Sequence, residues 1–136
     1  MDAENIRVRV TSYFAQASSK IVAAYLFGSF GRGTSGEHSD VDIAVLFREA
    51  PERALDGPRF RVRGELEKLL RRRVDVIVLN DASPDLSHRI LRDGVLTLDR
   101  DRNFRLLFEV KKRNEYLDFL PVLKLYRRYP RDRVVQ

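Results

Sequence analysis

At 136 residues the chain is long enough for one compact domain and too short for two of ordinary size. With 43% hydrophobic and 34% charged residues it is not a disordered chain; no apolar run nears the ~20 residues that span a bilayer, and the start Met1–Asn5 lacks the basic and apolar regions of a secretory leader. The lack of cysteine removes disulfides, thiolate metal sites and thiol nucleophiles and fits a reducing cytoplasm, while a net charge of +6, with 21 arginines against five lysines, suits either an anionic partner or a solvated surface rich in ion pairs.

Asp2 can cap a first helix, in which Ile6, Val10, Tyr13, Phe14 and Ala17 recur at helical spacing. The apolar run Ile21 to Phe27, led by Lys20 and closed by Gly28-Ser29, predicts a short buried strand. Residues 28–36, with four glycines, read as a turn. Residues 40–47 alternate Asp40, Asp42 and Ala44 against Val41, Ile43 and Val45, the pattern of a second strand. Ala50 to Pro58 reads as a loop. Val62, Leu66, Leu69 and Leu70 mark the stripe of an amphipathic helix, and Val74 to Leu79 predicts a third strand. Ser83-Pro84 opens a helix that Gly94 closes, and Val95 to Leu98 predicts a peripheral fourth strand. Asp101 to Asp118 reads as a C-terminal helix with Phe104, Leu107 and Phe108 inward, and Pro121 should interrupt or kink the chain beyond it. The predicted fold is therefore α/β (α+β): one small mixed sheet packed with helices, a single domain over 1–136 with a C-terminal helix and basic tail from about 101 onwards.

The chemistry concentrates in the second strand and the turn before it. Asp40 and Asp42, two residues apart, point to the same face of a strand and can share a divalent cation. Asp75 lies near the start of the third strand; if the two strands are neighbours, a third carboxylate joins the first two and their repulsion calls for a cation. The plainer reading makes Asp40 and Asp42 a strand-end turn and Asp75 an exposed edge charge. Gly28-Ser29, where a buried strand gives way to the turn, offers backbone N–H groups and a hydroxyl to phosphate oxygens, although Gly-Ser after a strand is also an ordinary turn.

Taken together, Gly28-Ser29, Asp40-Val41-Asp42 and the later Asp75 resemble the signature of the polymerase-β-like nucleotidyltransferases. Gly-Ser-Phe-Gly-Arg-Gly at 28–33, Ser39 before Asp40, the small size and Arg92-Asp93-Gly94 ahead of a strand and helix are similar to the minimal nucleotidyltransferase (MNT) family, over most of the chain. The resemblance implies a polymerase-β-like core and two-metal phosphoryl transfer. Asp40 and Asp42 would hold Mg²⁺ against the triphosphate of ATP. Asp75 would complete a second metal site and help deprotonate an acceptor hydroxyl. Gly28 and Ser29 would grip the β- and γ-phosphates, and Arg32 is a candidate for neutralising charge or for a surface ion pair. Members of this family commonly pair with a HEPN ribonuclease toxin, on whose tyrosine the MNT antitoxin places AMP. That implies a cytoplasmic protein adenylyltransferase with a HEPN partner. Two other readings stay open: nucleotidyl transfer to a small hydroxylated molecule such as an aminoglycoside, and masking of a toxin without chemistry.

Arg32 and His38 match the spacing of a HEPN ribonuclease motif but lie in the turn, where the match reads as coincidence; His38 and His88 read as isolated surface residues. Arg71-Arg72-Arg73 reads as a solvated helix terminus. The tail Arg127, Arg128, Arg131 and Arg133, interleaved with Tyr126 and Tyr129, fits RNA contact, an acidic partner or a frayed end alike. Tyr116, Phe119 and Leu120 are either core or partner interface.

Overall fold

A computed structural model describes residues 2–52 and 57–128. Helix α1 (Ala3–Ala15) starts where the Asp2 carboxylate accepts the Asn5 N–H at 2.9 Å, and it buries Ile6, Val10 and Phe14. Four strands follow, β1 (Ile21–Phe27), β2 (Val41–Phe47), β3 (Val74–Val78) and β4 (Val95–Asp99), in the sheet order β3-β2-β1-β4. β1 runs antiparallel to β2 and to β4, whereas β2 and β3 are parallel. The remaining helices are α2 (Gly28–Arg32), α3 (Pro58–Leu70), α4 (Pro84–Asp93) and α5 (Arg102–Arg128).

Both faces of the sheet are covered, which is why the central strands β1 and β2 are apolar almost throughout. On one face Ile43, Val45 and Leu26 meet α1 and α3 through Phe14, Val62 and Leu66. On the other, Ala23, Tyr25, Ala44 and Leu46 meet α4 and α5 through Ile90, Leu86, Phe104 and Phe108. Arg100, just past β4, donates to the carbonyls of Phe14, Ala15, Ala17, Ser18 and Ile21. One guanidinium thus gathers carbonyls from the end of α1, the turn after it and the first residue of β1.

Four local expectations change. The stretch 28–36 is more than a turn: its first five residues form α2, bounded by glycines at positive φ, Gly28 at +64° and Gly33 at +75°. A one-turn helix carries too few residues to show a period. β3 stops at Val78, and Leu79 is buried in a 3-10 turn, Leu79–Asp81. Helix α5 runs through Pro121 to Arg128 and does not end near Asp118. The carbonyl that loses its donor belongs to Leu117, four residues back on the exposed face, where water can serve it. Finally Leu107 is 73% exposed. The arc of α5 that packs inward runs through Phe104, Phe108 and the flank of Lys112, so Leu107 is turned away.

His88 stacks on Tyr116, ring centroids 3.8 Å apart, and joins α4 to α5, so Tyr116 is part of the packing between helices. The outer face of α5 carries exposed Leu107, Val110, Leu117, Val122 and Leu125. Tyr129, Arg131 and Arg133 of the basic tail lie outside the described residues. Among the described residues no helix is long and apolar enough to cross a membrane.

Candidate active site

The strand directions gather the candidate residues at one end of the sheet. β1 finishes where β2 and β3 begin, and Phe27, Asp42 and Asp75 stand in one row across the three strands. Residues paired in this way project from the same face, here the α4–α5 side. Asp75 is thus both an exposed residue of an edge strand and the direct neighbour of Asp42. Asp40 lies just outside β2, whose first residue, Val41, donates its N–H to the Arg73 carbonyl at 2.9 Å. Asp42 is half-buried, whereas Asp40 and Asp75 are open to solvent.

Burial, first of all, pushes the Asp42 carboxyl above its ordinary range; the charges of Asp75 and then Asp40 push the same way, and Arg32 opposes them. Gly28 sits against this carboxylate: a Cβ built on it would fall 2.1 Å from Asp42 Oδ2. Ser29 occupies the first turn of α2, and its carbonyl accepts the Thr34 N–H at 2.8 Å. Its hydroxyl has no protein partner among the described residues. Phe30 is buried and anchors the short helix. Arg32 ends α2, near enough to Asp42 and Asp93 to draw both carboxyls down, without a direct ion pair among the described residues.

Among the described residues no three carboxylate or imidazole groups close into a ready metal cage. Mg²⁺ does not need such a cage, since it usually takes one or two carboxylates together with substrate phosphates. The half-buried Asp42, its charge opposed by two neighbouring carboxylates, has the chemistry of such a ligand.

A cleft of about 530 Å³ lies along β3 between the starts of α3 and α4, lined by Phe60, Val76, Val78 and Leu86, and holds none of the six candidate residues. Asp40 instead lines an open groove of about 500 Å³ with His38 and Arg71 to Arg73. His38 is an exposed turn residue, and Arg32, the other half of the fortuitous motif, closes α2. Arg72 is more than the solvated terminus expected of it: it donates to the carbonyls of Gly36 and Ser39 at 3.3 and 3.2 Å. The signal for this was the strand register, since the parallel pairing of Asp42 with Asp75 brings residue 39 beside residue 72.

Residues 9–103 match the profile of the family described as Polymerase beta, Nucleotidyltransferase. The chain belongs to the polymerase-β nucleotidyltransferase family. This nucleotidyltransferase is 42% identical over 72 residues to a Methanocaldococcus jannaschii protein provisionally named a protein adenylyltransferase, across 53% of this chain and 74% of that one. It is 33% identical over 75 residues to the protein adenylyltransferase MntA of Shewanella oneidensis, across 55% of this chain and 52% of the relative, about half the relative's length. In structure it is similar to a chain of a toxin–antitoxin crystallised with AMP-PNP, with a TM-score of 0.72 and 25% identity over 96% of this chain and 98% of that one. It also shares its fold with a chain of the complex between the tri-AMPylated Shewanella oneidensis HEPN toxin and its MNT antitoxin, with a TM-score of 0.68 and 22% identity over 99% and 100% of the two chains.

Proposed function

We propose that this nucleotidyltransferase moves AMP from ATP to a tyrosine hydroxyl of a HEPN ribonuclease toxin and thereby acts as its antitoxin in the cytoplasm. The observation that carries the reading is the row of Asp42 and Asp75 beside Gly28, with Asp40 two residues ahead. It is supported by the protein adenylyltransferase names of the two relatives and by the toxin–antitoxin structures that share the fold.

Asp40 and Asp42 would hold one Mg²⁺, and Asp42 with Asp75 a second. Bound there, Mg²⁺ supplies charge neutralisation at the triphosphate and makes the acceptor hydroxyl easier to deprotonate. Gly28 leaves room for the nucleotide at the row of carboxylates, and the Ser29 hydroxyl donates to a β- or γ-phosphate oxygen. Arg32 offsets the charge that gathers on the phosphates. The acceptor oxygen bonds to the α-phosphorus as the bond to pyrophosphate breaks, and its proton passes to Asp75, an exposed carboxylate near the start of β3. The exposed stripe on α5, Leu107 to Leu125, favours a protein acceptor over a small molecule, because an apolar helix face that long suits another protein surface.

The test uses ATP labelled on either the α- or the γ-phosphorus, with Mg²⁺ and the HEPN partner. Label on the partner from α-labelled ATP alone supports nucleotidyl transfer. Label from γ-labelled ATP would mean phosphoryl transfer and would overturn the reading.

A further inference from the structure

We propose that Arg72 is the positioning residue of this site, one guanidinium that ties together the three segments carrying its functional groups and so fixes Asp40 relative to Asp42 and Asp75. The inference rests on the nucleotidyltransfer reading and adds to it a residue with no place in the reaction itself.

Each of the three segments is tied by a separate feature. The first is the turn that leads into β2. Gly36 donates its N–H to the Ser39 hydroxyl at 2.7 Å, and Ser39 returns its own N–H to the Gly36 carbonyl at 3.2 Å. Arg72 then donates to the carbonyls at both ends of this turn, and Asp40 is the next residue. The second is α2, where the Arg72 guanidinium lies over the Phe30 ring, 5.6 Å from its centroid. Phe30 is buried and adjoins Ser29. The third is the chain's own path: Arg72 stands two residues before β3 and three before Asp75.

Arg71, immediately before it, closes α3 in the left-handed conformation at φ 54°, a region sparsely populated by residues other than glycine. One terminal nitrogen, Nη1, bonds both carbonyls while the planar guanidinium lies over the ring, and an ammonium group lacks that planar face. Ligands in such sites depend on the groups that orient them, and losing an orienting group commonly costs 10- to 100-fold in metal affinity.

The test compares wild type with Arg72→Ala and Arg72→Lys in two measurements. In the protein without metal or nucleotide, amide hydrogen exchange of residues 34–40 should quicken in Arg72→Ala while the amides of β1 and β2 keep their protection. In calorimetry, ATP affinity in Mg²⁺ should fall about 10- to 100-fold, whereas affinity in excess chelator stays unchanged and Arg72→Lys falls between. If Arg72→Ala does not fold, Arg72→Gln, which keeps an amide donor, takes its place in both measurements. Exchange of 34–40 and affinity in Mg²⁺ both within twofold of wild type would overturn the proposal. So would an equal loss of ATP binding with and without metal, which would mark a merely structural role. Wild type without any metal-dependent ATP binding would overturn the nucleotidyltransfer reading and this inference with it.

Discussion

Gly28 and Asp42 approach so closely that a methyl group on Gly28 would lie 2.1 Å from the Asp42 Oδ2 atom. Together with a φ of +64°, this makes position 28 doubly closed to any other residue. Gly28→Ala should therefore displace the Asp42 carboxylate and lower ATP affinity in Mg²⁺ at least tenfold, read by calorimetry. Gly33, at φ +75° but with open space around it, provides the control. Gly33→Ala should cost stability, about 1 kcal/mol, and leave ATP affinity nearly unchanged.

Asp42 should make the unliganded fold less stable at neutral pH. Its carboxyl titrates above the ordinary range because of burial, then Asp75 and Asp40, so the folded chain binds more protons than the unfolded one between the ordinary and the raised value. Stability falls as pH rises through that window, and the full penalty is present above the raised value. Asp42→Asn should raise the Tm of the unliganded protein at pH 7, with a gain that shrinks as the pH is lowered through the window. Thermal unfolding between pH 4 and 7 reads it; an Asn variant less stable than wild type at pH 7 would mean that Asp42 carries no such strain.

Ser29→Ala removes the hydroxyl proposed to meet a charged phosphate, a contact worth roughly 1.5–3 kcal/mol. AMP transfer at limiting ATP should fall about tenfold or more with the Tm little changed. An unaltered rate would make Ser29 a turn residue and no more.

Partner docking and chemistry should separate. Leu117, 58% exposed on the outer face of α5, is far in the chain from the carboxylate strands. Leu117→Glu should weaken association with the HEPN partner, read by gel filtration of the mixture, and leave ATP binding in Mg²⁺ as in wild type.

The strands were legible because each aspartate interrupts an apolar run too short for a helix, but the meeting of Asp42 and Asp75 depended on the two strands being neighbours, which the parallel pairing of β2 with β3 supplies. What escaped was short or distant. α2 is one turn long and carries glycines at 28 and 31, so propensity argues against it. Leu107 follows Phe104 at helical spacing, but α5 has apolar residues on both its inner and outer faces, and spacing alone does not say which one packs. Pro121 suggested a break where an exposed helix tolerates the lost hydrogen bond. The bonds from Arg72 to Gly36 and Ser39 join residues more than thirty apart, a relation visible only once β2 and β3 are set side by side. Gly28, Ser29, Asp40, Asp42, Asp75 and Arg32 could all be named from the motif.

Transfer of AMP to a protein hydroxyl at the Asp75 row is read in the intact mass of the HEPN partner after incubation with this protein, ATP and Mg²⁺. The partner should be heavier by one or more AMP units with wild type and unmodified with Asp75→Asn, the two proteins associating equally in both mixtures. A partner whose ribonuclease activity is blocked while its mass stays unchanged with wild type would contradict such transfer.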